Sequence, residues 1–200
     1  MTPSRLRGLL LGATAAIAAL VFLAWSQPWY TLTLVDGAQS DEPVLTVGGD
    51  VAAAGLAPLA LTTLAVVAAL AIAGPVFRRI LGVLEALVGV AVIGLALVTI
   101  GDPVDASAPA VTDVTGITGS ESVHALVSAT EGTLWPWTAV VFGVLLTVVG
   151  VIVVVTAGRW PATGRKYTRT RLESADGTTT DAVAEWDALS DGDDPTAPAR

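Results

Sequence analysis

Four long apolar runs constrain what this chain can fold into more than any other feature of its sequence. They cover about residues 8–25, 52–74, 80–100 and 135–157, and Glu85 is the one charged residue within them. A bilayer core about 30 Å thick needs about 20 helical residues. A helix satisfies its own backbone hydrogen bonds in lipid, whereas a lone strand does not. The runs therefore predict an all-α membrane protein, a bundle of four transmembrane helices.

The composition excludes several other classes of protein. Apolar residues make up 53% of the 200 residues and charged residues 14%, against about 25% charged in an average soluble domain. With no Cys and one His, a disulfide scaffold, a Cys nucleophile and a multi-His metal site are excluded. The net charge of −8 argues against general nucleic-acid binding. Because no nucleophile–base pair or phosphate loop is in register, we expect no enzyme, no metal and no cofactor.

The basic residues predict the orientation in the cell membrane. The outer loops, residues 27–50 and 101–133, contain none of the ten Lys and Arg residues. The ten are Arg5, Arg7, Arg78, Arg79, Arg159, Arg165, Lys166, Arg169, Arg171 and Arg200. Lys and Arg stay cytoplasmic during insertion, so both termini of this multi-pass chain are expected inside the cell.

Two alternatives concern the first and second spans. Residues 8–24 could form the apolar part of a cleaved signal peptide, but 17 residues exceed the usual 7–15, so we expect the span to be retained. In the second span, either the helix starts near Pro58 or an earlier segment kinks there.

The outer loops predict a small amount of extracytoplasmic structure. Residues 30–35 and 44–47 are rich in β-branched residues and flank a turn-forming stretch, which predicts a two-stranded ribbon that needs support from the other loop or the membrane. Asp50 is a candidate cap for the second helix. Thr118 and Glu121 have capping-box spacing and predict a short helix near residues 119–130.

Aromatic residues gather where two spans meet the outer membrane face. The set is Trp25, Trp29, Tyr30, Trp135 and Trp137. One interpretation is an interfacial belt, in which each indole keeps its N–H wet. The other is an aromatic pocket shared by the first and fourth spans, which would bind a planar or cationic ligand. We favour the belt, although Pro28 and Pro136, which fix the chain direction, add weight to the pocket.

Glu85 is the candidate intramembrane polar site. A carboxylate inside a span is a candidate for proton or cation coupling. The alternative is that Glu85 reaches the inner interface or pairs with Arg78, and its position near the inner end of the span favours that alternative. His124 stands alone, and we expect no role for it.

Small residues predict a tight bundle, because they let helix backbones approach closely. One stripe lies on the first span and another on the third. The residues are Gly8, Gly12, Ala15, Ala19, Gly82, Ala86 and Gly94. A homo-oligomer is a separate expectation, which the transporter alternative given below requires.

Residues 171–200 differ from the membrane domain, residues 1–170. The tail is acidic and poor in large apolar residues, which predicts a disordered cytoplasmic segment. The segment around Trp186 is either a docking motif for a protein partner or an aromatic residue present by chance. The basic cluster before it is expected to contact anionic lipid headgroups. Its members are Arg159, Arg165, Lys166, Arg169 and Arg171.

Several short motifs resemble one known family across residues 5–170. They are Trp25-Ser26-Gln27-Pro28-Trp29, Gly48-Gly49, Arg78-Arg79, Gly158-Arg159-Trp160-Pro161 and Gly164-Arg165-Lys166-Tyr167. In this order and topology they resemble the tryptophan-associated transmembrane protein family of actinobacteria, with Tyr30 departing from a Trp common in relatives. The resemblance implies a link to tryptophan metabolism and no established activity. We expect a non-enzymatic accessory or regulatory membrane protein, or alternatively a subunit of an oligomeric transporter or exporter for an aromatic metabolite.

Overall fold

The computed structural model describes residues 3–35 and 43–160. These residues all belong to one compact unit, Met1–Thr163. The predicted tail, residues 171–200, lies outside the described residues.

Four long apolar helices form the body of the protein. They are α1 (Pro3–Trp25), α3 (Leu56–Ile72), α4 (Pro75–Gly101) and α8 (Trp135–Thr156), and the last continues into a 3-10 turn over Ala157–Arg159. Three of them are long and apolar enough to cross a membrane: Ser4–Trp25, Pro75–Gly101 and Trp135–Arg159. The fourth, α3, is a shorter apolar helix of 17 residues. The structure is therefore mostly helical, as predicted, with three candidate membrane-spanning helices.

The four helices are arranged as a ring. α1 packs against α3 and α8, and α4 packs against the same two helices. α1 and α4 therefore lie across the bundle from each other. Only Ala73 and Gly74 connect α3 to α4, so these two helices run antiparallel as a hairpin.

The tightest helix contact joins α4 to α8 through glycines on both sides. A Cβ atom added to Gly150 would lie 2.6 Å from the Ala86 backbone nitrogen, and one added to Gly89 would lie 2.7 Å from the Gly143 carbonyl oxygen. Neither distance leaves room for a side chain, so the two backbones are in direct contact. The predicted stripe on α4 is correct for Gly82 and Ala86.

The other predicted small residues do not have this role. Nothing lies within 4 Å of a Cβ added to Gly8, Gly12 or Gly94. The prediction that Gly8 and Gly12 on the first span pack tightly against another helix is therefore wrong, because that side of α1 faces away from its neighbours.

A three-stranded antiparallel sheet joins the two loops at one end of the bundle. Its strands are β1 (Pro28–Leu34), β2 (Val44–Gly48) and β3 (Val127–Gly132), in the order β2-β1-β3. Thr31 of β1 is paired with Thr46 on one side and Glu131 on the other. The predicted ribbon is confirmed, and the support that it needs comes from the second loop.

The predicted outer helix is shorter than expected. α7 covers Ser120–Leu126, and residues 127–130 belong to β3. Pairing with the free edge of β1 satisfies their backbone groups, which overrides the helical pattern. The N-cap is Gly119, at φ 100°, and no side-chain cap bond is made, so the expected capping box of Thr118 and Glu121 is wrong.

Short helices occupy the remaining outer segments. α2 (Gly49–Ala52) precedes α3, while α5 (Pro103–Ala106) and α6 (Ala108–Thr115) follow α4. Each of the latter pair has a proline in its first turn, where the missing N–H is not needed. Because α3 begins at Leu56, Pro58 lies in its first turn, as in the first alternative for the second span. Asp50 lies within α2 and makes no cap bond, so it does not cap the long helix.

Candidate functional site

The outer aromatic residues begin with Trp29, which is a core residue. Its side chain is 0% exposed, and its indole N–H donates to the Ala24 carbonyl at 2.7 Å. The register of β1 against β2 shifts between Pro28 and Tyr30, and such a bulge re-aims side chains. Trp29 and Tyr30 are consequently both buried although they are adjacent in a strand. With its surface and its N–H used in packing, Trp29 has no face for a headgroup or a ligand.

Tyr30 links the sheet to the end of α4. Its hydroxyl donates to the Thr99 carbonyl at 3.0 Å, and its ring meets that of Trp29 edge to face, with centroids 6.4 Å apart. Burial raises the pKa of the Tyr30 phenol. The two aromatic residues after α1 thus form a packed pair that anchors β1.

The other three tryptophans of the predicted aromatic set have different environments. Trp25 is half-buried against Phe22, with ring centroids 5.0 Å apart, and its buried indole N–H has no hydrogen-bond partner among the described residues. Trp135 is half-buried against the main core, whereas Trp137 is 55% exposed. In the part of the chain that the structure describes, no ring contact joins the tryptophans after α1 to those of α8. Four of the five predicted aromatic residues therefore lie in or against the main hydrophobic core, without ring contact between the two segments, and Trp137 lies outside it.

Backbone contacts, rather than rings, join the two tryptophan-proline segments. The Thr133 N–H donates to the Trp29 carbonyl at 2.9 Å, and the Thr133 hydroxyl donates to the Pro28 carbonyl at 2.9 Å. These bonds fasten the chain after α1 to the chain before α8. The chain segments that contain Pro28 and Pro136 are thus held together next to the sheet by the bonds of Thr133.

Glu85 is buried inside the bundle, well within α4. α4 begins at Pro75, so Glu85 is ten residues, or about 15 Å, from the start of its helix. Its side chain is 1% exposed, and Oε1 lies 2.7 Å from the hydroxyl of Thr14 on α1. Glu85 makes no ion pair with any described residue, Arg78 included. The predicted ion pair with Arg78 is therefore not present among the described residues.

The basic end of the bundle is built around Arg78, which is fully buried at the start of α4. Its guanidinium carbon lies 5.4 Å from the centroid of the Trp160 ring, within the range of a cation–π contact. Trp160 is itself buried against Leu10, Leu70 and Val153. The guanidinium of Arg7 donates to the Ala71 carbonyl, at the C-terminal end of α3, where a cation is favourable.

One comparison with known proteins identifies the family of the chain. A family model described as tryptophan-associated transmembrane protein matches residues 10–196. The chain belongs to the tryptophan-associated transmembrane protein family. The match includes most of the acidic tail, which the motif resemblance did not reach. No curated protein and no solved structure matches the chain.

In this tryptophan-associated transmembrane protein, the family motifs have structural explanations. Gly49 lies under Trp29, because an added Cβ would be 2.6 Å from the indole nitrogen. The motif Arg78-Arg79 and the motif that contains Trp160 meet in the cation–π contact described above. Among the predicted lipid contacts, Arg159 is exposed. The other predicted lipid contacts lie outside the described residues; they are Arg165, Lys166, Arg169 and Arg171. Trp186 also lies outside the described residues.

Three polar contacts on the sheet side of this family member were not predicted from the sequence. His124 Nε2 lies 3.5 Å from a carboxylate oxygen of Asp102, and the Ser120 hydroxyl donates to Asp105 at 2.9 Å. Asp102 also accepts from the Asp105 N–H at 2.9 Å. These contacts tie α7 to the start of α5. Within residues 3–35 and 43–160, no group of three His, Cys, Asp or Glu side chains could hold a metal ion.

Proposed function

We propose that all four long helices cross the cell membrane, with both termini cytoplasmic and the sheet outside. α1 and α4 end at the sheet, while α3 and α8 begin there, so α3 has to return over the height that α4 covers. Its 17 residues are at the lower limit for a span. All five described Arg residues lie on the other end of the bundle, which supports a cytoplasmic assignment for that end.

The packing of α1 also supports its retention. Its contacts with α3 and α8 bury Ile17, Val21 and Ala24, and Thr14 faces Glu85. A cleaved signal peptide would leave those surfaces exposed. We therefore propose that the first helix stays in the mature protein.

Within that topology, the function proposed is an accessory or regulatory membrane component linked to tryptophan metabolism, without an enzymatic activity of its own. The family description carries the link to tryptophan. The observation that favours an accessory role is the use of Trp29 and Tyr30 as packing and anchoring residues. Trp29 and Tyr30, which suggested an aromatic ligand site, instead pack β1 against the bundle. Exposed arginines at the other end, Arg5, Arg79 and Arg159, are proposed contacts for anionic lipid headgroups.

One observation favours the alternative of a transporter subunit. Glu85 is a buried carboxyl on the inside of the bundle, and such groups mark ion or substrate pathways. Four helices are few for a carrier, so this alternative requires an oligomer with a shared pathway.

Two measurements separate the alternatives. The first is the tryptophan pool and its rate of synthesis in cells that lack the protein or produce it. The second is flux of labelled tryptophan into liposomes that contain the purified full-length protein. An accessory role predicts a changed pool and no flux above that of empty liposomes.

The transporter predicts a saturable flux that Glu85→Ala abolishes and Gly94→Ala, a substitution in open space on the same helix, preserves. If neither the pool nor the flux depends on the protein, the link to tryptophan metabolism is wrong.

A further inference from the structure

The oxygen atoms around Thr14 outnumber the protons that its hydroxyl can supply. Oγ1 of Thr14 lies 2.9 Å from the Leu10 carbonyl oxygen and 2.7 Å from Oε1 of Glu85. A threonine hydroxyl has one proton and two lone pairs. If it donates to Leu10, in the usual bond of a helical Thr to the preceding turn, then the contact with Glu85 is a hydrogen bond only when the carboxyl carries the proton.

The second carboxyl oxygen leads to the same conclusion. Oε2 of Glu85 is buried and has no hydrogen-bond partner among the described residues. An ionised carboxylate spreads its charge over both oxygens, and a buried charge without hydrogen bonds is far more costly than a buried neutral carbonyl. The geometry thus suits a neutral acid with Oε1 as the donor and Oε2 as the bare carbonyl.

No counter-charge faces this carboxyl from the helices around it. α3 and α8 contain no ionisable residue. The other ionisable groups of α1 and α4 are Arg5, Arg7, Arg78 and Arg79. Arg7 is seven residues from Thr14 and Arg78 is seven from Glu85, each about 10 Å along its helix. Among the described residues, none of these arginines forms an ion pair with Glu85.

We infer that Glu85 is a proton-binding site on the axis of the bundle. It is a neutral carboxylic acid that donates to Thr14, and its proton is part of the folded structure. Since α1 and α4 face each other across the ring, this one bond joins two helices that are otherwise held through α3 and α8. Loss of the proton would place a charge against a hydroxyl whose own proton is already bound to Leu10. The bundle would then have to admit water or a cation, or α1 would have to separate from α4. The inference does not depend on the proposed function.

Infrared spectroscopy of the purified full-length protein tests the protonation state directly. The protein is labelled with glutamate that carries carbon-13 in the side-chain carboxyl. At neutral pH, the wild type is expected to show a protonated-carboxyl stretching band that shifts with the label and is missing from Glu85→Gln. Absence of a label-sensitive protonated-carboxyl band at neutral pH would overturn the inference. The labelled wild type decides this even if Glu85→Gln does not fold.

A second pair of variants tests which group donates. Thr14→Val removes the acceptor with little change of shape, so the neutral acid loses its hydrogen bond. Its band should then disappear at a pH lower than in the wild type, by about one unit, and Thr14→Ser should restore the wild-type titration. If Thr14→Val instead moves the disappearance to higher pH, Thr14 donates to an ionised carboxylate and the inference is wrong.

Discussion

Replacing Gly150 by Ala should weaken the contact between α4 and α8, because the added methyl group has no space. Its Cβ would lie 2.6 Å from the Ala86 nitrogen and 2.8 Å from the Gly82 carbonyl oxygen, whereas ordinary contact begins at 3.4 Å. The atoms in the way are backbone, so no side chain can rotate aside. The two helices would have to separate locally by about 0.8 Å, the difference between 3.4 and 2.6 Å. A gap of 0.5–1 Å forfeits about a quarter to a half of the dispersion attraction of the atoms involved.

The magnitude follows from two opposing effects. Overpacking of this kind costs about 1–3 kcal/mol, while the change from Gly to Ala in a helix contributes about 1 kcal/mol of stabilisation. Gly94→Ala, in open space on α4, isolates the second effect. We expect Gly150→Ala to be about 1–3 kcal/mol less stable than Gly94→Ala, measured as the free energy of unfolding by dodecyl sulfate in mixed micelles.

A double variant sharpens the test. Gly89→Ala pushes the same two helices apart, because its Cβ would lie 2.7 Å from the Gly143 carbonyl oxygen. Once one methyl group has separated the helices, the second meets less resistance. The combined variant should therefore lose less stability than the sum of the two single losses, with a coupling of at least about 0.5 kcal/mol. Equal stability of Gly150→Ala and Gly94→Ala would refute the close approach.

Three further predictions concern the sheet end and the topology. Burial raises the pKa of Tyr30 above its ordinary value of 10.0, so the folded protein holds this proton more strongly than the unfolded chain. Its contribution to stability is complete below about pH 10 and is lost as the pH rises further. Melting curves should consequently show less alkaline destabilisation in Tyr30→Phe than in the wild type, and equal alkaline profiles would contradict this. Trp29→Ala should cost about 3–5 kcal/mol and Trp137→Ala less than about 0.5 kcal/mol in detergent, with additive losses in the double variant; a coupling would mean that the two indoles interact. Reporter fusions at Ala110 should report the outside of the cell and those at Arg79 the inside, and the reverse pattern would exclude the proposed orientation.

The helices were predictable from the sequence because a helix satisfies its hydrogen bonds within one local segment. The same holds for the ribbon, whose strands are separated by a short turn-forming stretch. β3 was not predicted, because half of its residues 127–132 are polar and its partner strand lies about 100 residues earlier. Only the free edge of β1 explains why these residues are extended.

The candidate site was less predictable, because its properties depend on depth and register. Trp29 was predicted to lie at the membrane interface, but a one-residue bulge at the start of β1 directs its side chain into the core. Glu85 looked able to pair with Arg78, but its side chain is buried against Thr14 of α1, a contact that only the packing of the helices determines. Which glycines are packed was also hidden: Gly12 and Gly150 both lie in apolar runs, and only the facing helix distinguishes them.

The pairing of β1 with β3 affects the order in which the protein folds during its synthesis. β1 and β2 are synthesised close together, but the partners Tyr30 and Gly132 are separated by about 100 residues, which include α3 and α4. The second edge of β1 therefore stays unpaired while α3 and α4 are synthesised. An unpaired edge strand is a template for the wrong partner, so neighbouring nascent copies could exchange strands during this interval. A chain released after α4 would still have that edge of β1 unpaired. Pairing with β3 is therefore the step after which strand exchange between copies is no longer favoured.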